Sequence, residues 1–137
     1  MDGQVSPTHG TIKWGHVSCT DLLRWTPEPI ALTNRPGELD SYGCWSGCVV
    51  VDGGVPTAVY SAVADATHRS EVLLARSDRR MTSWVQDHKS VARQPADDRV
   101  SQVRDPYVFT STGTGARYRA PATSPAEGGS WCTDATT

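Results

Sequence analysis

The feature that most restricts the fold is a pair of apolar runs separated by a glycine-rich turn. Trp45–Val51 is a nearly continuous apolar run, and after Asp52-Gly53-Gly54 a second run covers Pro56–Val63. Two runs joined in this way are typical of a β-hairpin, because glycine allows the backbone angles of a tight turn. Further strands are predicted over Thr11–Ser18, Ser70–Arg76 and Tyr107–Thr110. The only helical candidate, 70–80, has a poor helical period, so the sequence predicts an all-β fold.

Length and charge exclude several classes of protein. The chain has 137 residues, a length that favours one small domain or part of a larger one. Its formal net charge of -2 and its pI near 6.0 do not favour binding to nucleic acid or to an anionic membrane. No apolar run approaches the ~20 residues of a membrane helix. Because Met1–Gly10 is polar and has no signal-peptide core, we expect a cytoplasmic protein with reduced cysteines. Nothing in the sequence indicates its oligomeric state.

The C-terminal part of the chain differs from the rest in composition. Residues 111–137 contain no Val, Leu, Ile, Phe or Met, and 20 of these 27 residues are Ser, Thr, Gly, Ala or Pro. Such a segment buries too little apolar surface to offset its ordering entropy. We therefore predict a structured unit over 1–112 and a disordered tail over 113–137. A frameshift near Arg117 is a second hypothesis for this tail, because another reading frame permits strand-like sequence there.

A faint internal repeat supports short strands in a regular array. Ser18–Trp25 and Ser77–Trp84 both run from a Ser through an Asp to a Trp, and the two Trp residues lie 59 positions apart. A unit of about four strands recurring at such a period suggests a blade of a β-propeller. Chance recurrence of a common turn is the alternative.

Two motifs carry side chains suited to sugar chemistry. An Asp beside an Arg stays ionised, so Asp105 in Arg104-Asp105-Pro106 could contact sugar hydroxyls or a developing cation, although a surface ion pair is the plainer interpretation. In Cys44-Trp45-Ser46-Gly47-Cys48, strand alternation predicts that Cys44, Ser46 and Cys48 share one face and that Trp45 lies on the other. An indole on such a strand either stacks on a sugar or fills the core.

Metal binding is a weaker interpretation of the cysteines. His16, Cys19, Cys44 and Cys48 could be combined into a zinc set, but their spacing is poor and buried thiols explain the cysteines better. No metal or cofactor is therefore predicted. His9, His68 and His88 have no readable partners and are expected at the surface.

The motifs in their order resemble glycoside hydrolase family 32, the β-fructofuranosidases, which include invertases and sucrose-6-phosphate hydrolases. The resemblance covers about residues 9–110 and rests on four segments: Trp14–Ser18 with Asp21–Trp25 and Pro29–Leu32, the strand Asp40–Val50, Ala75–Trp84, and Arg104-Asp105-Pro106. It implies a five-bladed β-propeller, of which this chain would cover about two blades. It also implies retaining hydrolysis of sucrose-like β-fructosides.

The resemblance assigns roles to four residues. Asp105 matches the transition-state stabiliser, Arg104 would orient it, and Trp45 and Ser46 match positions of the fructoside pocket. The family's Asn-Asp-Pro-Asn-Gly-like nucleophile motif and its Glu-Cys acid/base motif have no counterpart in this sequence, and Glu127 stands in the wrong context. Since losing one essential group costs many powers of ten in rate, we expect the chain to be inactive alone. The alternative function is a non-catalytic carbohydrate-binding fragment.

Overall fold

The computed structural model describes residues 11–97, 99–110, 116–123 and 130–136, which form ten β-strands and no helix. The strands are β1 (Val17–Ser18), β2 (Thr26–Pro27), β3 (Gly43–Asp52), β4 (Val55–Val63), β5 (Ser70–Ser77), β6 (Trp84–Gln86), β7 (Gln102–Val103), β8 (Tyr107–Thr110), β9 (Ala116–Thr123) and β10 (Ser130–Thr136). They form three open sheets: β1 with β2, the meander β3-β4-β5-β6, and a sheet in which β9 pairs with β7, β8 and β10. The predicted all-β class is confirmed. Within the described ranges, a helix long and apolar enough to cross a membrane is not found.

The predicted hairpin is the first half of the central sheet, β3-β4-β5-β6. Asp52 pairs with Val55, so Gly53 and Gly54 form a two-residue turn with φ angles of +54° and +83°. Positive φ at both positions is the type I′ geometry that matches the twist of a hairpin. Strands β5 and β8 confirm two further predictions. Of the predicted strand at 11–18, only β1 forms, preceded by an isolated bridge between Trp14 and Leu32.

A β-bulge interrupts the pairing of β3 with β4. The register passes from Cys44 opposite Ala62 to Gly47 opposite Tyr60, so two residues of β3 face one residue of β4. A Cβ atom at Gly47 would overlap the carbonyl oxygen of Val59, and this close approach requires glycine.

The bulge corrects the predicted arrangement of the cysteines. Cys44 packs in one apolar cluster and Cys48 packs against the other, so the prediction that Cys44, Ser46 and Cys48 share one face is wrong. The physical reason is that the extra residue of the bulge shifts the strand's alternation by one position. The zinc set thereby loses its geometric basis.

Both faces of the inner strands of the central sheet, β4 and β5, are buried. One face packs against β7 and β8 through a cluster of Val59, Val72, Leu74, Val103 and Val108. The other face packs against the segment that precedes β3 through Leu32, Cys44, Ala58, Tyr60, Ala62, Leu73 and Ala75. A sheet covered on both sides by neighbouring chain is what stacked layers of short antiparallel strands require.

The sequence repeat corresponds to a recurring turn. Strands β1 and β2, like strands β5 and β6, form an antiparallel pair joined by a loop that contains an Asp. Asp21 and Asp78 each accept hydrogen bonds from two backbone N–H groups of their own loop. Each loop also holds a non-glycine residue at positive φ, Leu22 at 61° and Met81 at 58°. The repeat is therefore a structural unit rather than a chance pattern.

The tail carries two of the strands. Strands β9 and β10 pair antiparallel, from Arg117 opposite Thr136 to Thr123 opposite Ser130, within the segment 113–137 for which disorder is predicted. Residues 111–115, 124–129 and 137 lie outside the described residues. The disorder itself stays a prediction, as does the boundary at 112.

Candidate active site

The first part of the site is the start of β3. The Trp45 side chain is half-buried and Ser46 is exposed. A Cβ atom at Gly43 would lie 3.0 Å from the indole Nε1, so the absence of a side chain there leaves space for the Trp45 ring. Because β3, β4 and β5 run antiparallel, the start of β3 lies beside the end of β4 and the start of β5. We call this end of the sheet the site end.

A histidine that sequence reasoning assigned to the surface contacts Trp45. His68 lies in the loop between β4 and β5 at a φ of 60°, and its half-buried ring has its centroid 5.1 Å from that of Trp45. The centroid of the Tyr42 ring lies 5.6 Å from that of His68. The three rings form an aromatic wall at the site end. No sequence pattern indicates this contact, because Trp45 lies on β3 and His68 lies in the loop between β4 and β5, 23 positions further along the chain.

The second part of the site is the segment that leads into β8. The Asp105 side chain is 50% exposed, and its carboxylate Oδ2 lies 3.4 Å from Nε of Arg104. The backbone of Asp105 has a φ of 56°, a conformation that Asp and Asn adopt more readily than other non-glycine residues. Among the described residues, the buried Nε of Arg104 has no hydrogen-bond partner and only this ion pair.

A buried hydroxyl joins the two parts. Ser61 lies on β4 opposite the bulge and is fully buried. Its Oγ donates to the carbonyl oxygen of Ser46 at 2.9 Å and accepts from the backbone N–H of Asp105, also at 2.9 Å. The structure thus brings Trp45, Ser46, Arg104 and Asp105 together at the site end. Sequence reasoning missed Ser61, and the only signal was a polar residue within an apolar strand.

A buried carboxylate stabilises the start of β3. Asp40 is fully buried and accepts hydrogen bonds from Arg35 at 3.0–3.1 Å, from the hydroxyl of Tyr60 at 2.7 Å and from Nε2 of Gln86 at 2.7 Å. Arg35 also donates to the backbone carbonyls of Gln86 and Asp87. These bonds attach the segment before β3 to β4 and β6, and so hold the start of β3 in place.

The surroundings of Asp40 shift the pKa values of the side chains around it. Burial acts against the Arg35 charge, but the hydrogen bond and the negative charge of Asp40 outweigh it and raise the pKa of Arg35. Burial raises the pKa of the Cys44 thiol to about 12, and the nearby Asp40 adds to this shift. Burial likewise raises the pKa of Tyr60 well above its ordinary value. Cys44 and Tyr60 therefore remain neutral at physiological pH.

Metal ligands do not assemble in the part of the chain that the structure describes. Within it, no three His, Cys, Asp or Glu side chains lie close enough together to hold an ion. The chemistry that the two motifs offer at this end of the sheet comes from the Asp105 carboxylate, the Arg104 guanidinium, the Ser46 hydroxyl and the aromatic wall.

Three comparisons with known proteins place this geometry in context. Residues 3–127 match the model of the glycosyl hydrolases family 32 N-terminal domain. Fructan 1-exohydrolase of Triticum urartu is 30% identical over 107 residues, which cover 73% of this chain and 18% of the relative. Fructan 6-exohydrolase of Beta vulgaris is 32% identical over 108 residues, covering 72% and 18%. The chain thus spans less than a fifth of the length of these relatives.

Solved structures agree with this assignment at the level of the fold. Sucrose-6-phosphate hydrolase from Lactobacillus gasseri superposes with a TM-score of 0.71 at 22% identity, over 87% of this chain and 24% of that one. A Bombyx mori family 32 beta-fructofuranosidase superposes with a TM-score of 0.63 at 23% identity, over 82% and 24%. With a family model that matches nearly all of the sequence, the resemblance is confirmed: this chain belongs to glycosyl hydrolase family 32.

Proposed function

We propose that this chain forms part of the sugar pocket of a β-fructofuranosidase-type glycoside hydrolase, an enzyme that cleaves sucrose-like β-fructosides with retention. The observation that carries the proposal is the meeting of Ser46 and Asp105 at the hydroxyl of Ser61, which joins the two family motifs at one end of the sheet. The names of the relatives, fructan exohydrolases and a sucrose-6-phosphate hydrolase, support a fructoside as substrate. We also propose that the described sheets represent about two blades of a five-bladed propeller.

In this proposal Asp105 stabilises the transition state. Glycoside cleavage passes through an oxocarbenium-like state, in which positive charge develops on the sugar ring. An ionised carboxylate that is half-exposed at the site end can accept hydrogen bonds from fructosyl hydroxyls and lower the energy of that charge. Arg104 orients the carboxylate through its ion pair, in which the buried Nε lies 3.4 Å from Asp105 Oδ2.

Trp45 and Ser46 supply the walls of the pocket. The half-buried indole of Trp45 offers an apolar face to the carbon atoms of a sugar, and the exposed Ser46 hydroxyl offers a hydrogen bond. Of the three carboxylates that the family uses, the sequence matches one, Asp105. We therefore expect the chain to bind fructose without hydrolysing sucrose, which is also the behaviour of a non-catalytic carbohydrate-binding fragment.

A fructose titration of the purified chain tests this proposal. Tryptophan fluorescence should change on addition of fructose, and Trp45→Phe should abolish the change. Trp25→Phe is the matched control, because Trp25 is 55% exposed in the loop between β1 and β2 and belongs to neither motif of the site. A wild-type chain without a fructose response, or a response that survives in Trp45→Phe, would contradict the proposal.

A second variant tests the charge of Asp105. Asp105→Asn removes the charge, while Asn tolerates the positive φ of this position. Binding of fructose should weaken about tenfold, as expected for the loss of a charged hydrogen-bond acceptor. The control is Asp97→Asn, which changes an exposed carboxylate paired with Arg99 and should leave the affinity unchanged.

A further inference from the structure

One buried serine contacts both motifs of the candidate site. We infer that Ser61 is a positioning residue, whose hydroxyl fixes the Asp105 backbone relative to the Trp45–Ser46 strand; the inference rests on the proposed function. Ser61 lies between apolar neighbours on β4 and is fully buried, so water does not compete for its hydrogen bonds. A hydroxyl buried at such a position is retained only when its hydrogen bonds offset the cost of its desolvation.

The Ser61 hydroxyl acts both as a hydrogen-bond donor and as a hydrogen-bond acceptor. It donates a hydrogen bond to the Ser46 carbonyl, which lies in the bulge and is outside the regular ladder of β3 and β4. It accepts the N–H of Asp105 with an oxygen lone pair. A single oxygen atom thereby sets the distance between the strand that carries Trp45 and the segment that carries the carboxylate.

The backbone at Asp105 has particular need of this anchor. Its φ of 56° is less favourable than an extended conformation, so the surrounding structure must hold it. Pro106 follows directly and has no N–H, so it cannot donate a hydrogen bond next to Asp105. The Asp105 N–H is therefore the donor that fixes the backbone at the residue that carries the carboxylate. A shift of the backbone at this residue moves the carboxylate directly.

Amide hydrogen exchange tests the anchor without any mutation. In the unliganded wild-type chain, the Asp105 amide should exchange slowly although it lies outside every strand, because its N–H is bonded to a buried oxygen. An Asp105 amide that exchanges as fast as an unprotected peptide would overturn the inference. This measurement does not depend on fructose binding, so it separates the inference from the proposed function.

Variants then connect the anchor with the sugar. Ser61→Ala should speed exchange at Asp105 and weaken fructose binding about tenfold. Ser77→Ala is the matched control: Ser77 is also a buried serine that donates to a backbone carbonyl, that of Ser83 at 2.7 Å, but it ends β5 at the opposite end of the sheet. It should change neither quantity.

The outcomes separate clearly. If Ser61→Ala leaves the Asp105 exchange rate and the fructose affinity unchanged, the inference is wrong. If Ser77→Ala weakens fructose binding as strongly as Ser61→Ala, the effect is one of general stability and the inference is also wrong. If wild type gives no fructose response but Ser61→Ala exposes the Asp105 amide, the anchor stands and the proposed function fails.

Discussion

Asp40→Asn is the substitution that most directly tests the buried network beneath β3. Asp40 is completely buried and accepts hydrogen bonds from Arg35, Tyr60 and Gln86. Removing one partner of a buried ion pair typically costs about 3–5 kcal/mol, since the other charge remains buried without compensation. The Arg35 side chain is 20% exposed and keeps two backbone acceptors, so we expect a loss near the lower end, about 3 kcal/mol.

Part of this loss has a geometric origin. An Asn side chain presents an NH₂ group in place of one carboxylate oxygen. At the position of Oδ1 this group faces Nε of Arg35, and at the position of Oδ2 it faces the donors of Arg35, Tyr60 and Gln86. Tyr60→Phe removes the hydrogen bond to the carboxylate and the one accepted from Gln86, but leaves the ion pair in place, and should cost less, about 1.5–2 kcal/mol. The network therefore predicts that Asp40→Asn lowers the free energy of unfolding more than Tyr60→Phe does.

Urea denaturation followed by tryptophan fluorescence measures both variants. With an m-value of about 2 kcal/mol per molar urea, the Asp40→Asn midpoint should fall by about 1.5 M. Asp97→Asn makes the same chemical change in an exposed ion pair and should leave the midpoint unchanged. A midpoint for Asp40→Asn equal to that of Asp97→Asn would refute the assignment of Asp40 as a stabilising buried charge.

Three further results are expected. Because the pKa of Cys44 is raised from 9.0 to about 12, its thiol stays neutral in the folded chain above pH 9 while it ionises in the unfolded chain. The free energy of unfolding should therefore fall between pH 9 and about 12, by up to about 1.4 kcal/mol per pH unit. Urea titrations at several pH values should show a shallower fall for Cys44→Ala. In the native state at pH 8, iodoacetamide should modify the partly exposed Cys19 faster than the buried Cys44, and mass spectrometry of peptides that shows equal rates would contradict the burial. Gly47→Ala should lower the free energy of unfolding by about 1–3 kcal/mol, because its Cβ overlaps the Val59 carbonyl, whereas Gly15→Ala, with open space around it, should be neutral in the same urea assay.

Local patterns predicted the strands well where turn chemistry and apolar runs agree. The hairpin of β3 and β4 could be read from its two glycines, and the recurring Asp-containing loops could be read from the repeat of Ser, Asp and Trp. Both depend on residues close together in the chain, for which backbone preference and sequence point to the same structure.

Features that depend on distant partners were not predictable in this way. Strict alternation failed at Cys44–Cys48 because the bulge depends on how closely β4 approaches Gly47. The hydrogen bonds of Ser61 reach across 15 residues in one direction and 44 in the other. Of the candidate site, the family motifs indicated Trp45, Ser46, Arg104 and Asp105, but not the serine that connects them or the histidine beside the indole.

The backbone conformation at Asp105 also limits how this position can evolve. Its φ of 56° suits Asp, Asn and Gly, and among these only Asp carries a charge. Drift to Asn, one base away in the genetic code, would keep the loop and lose the carboxylate, whereas a change to Glu would keep the charge but strain the loop. A single base change can therefore remove the carboxylate from this position, while moving it outwards on a longer side chain requires the loop to be rebuilt first.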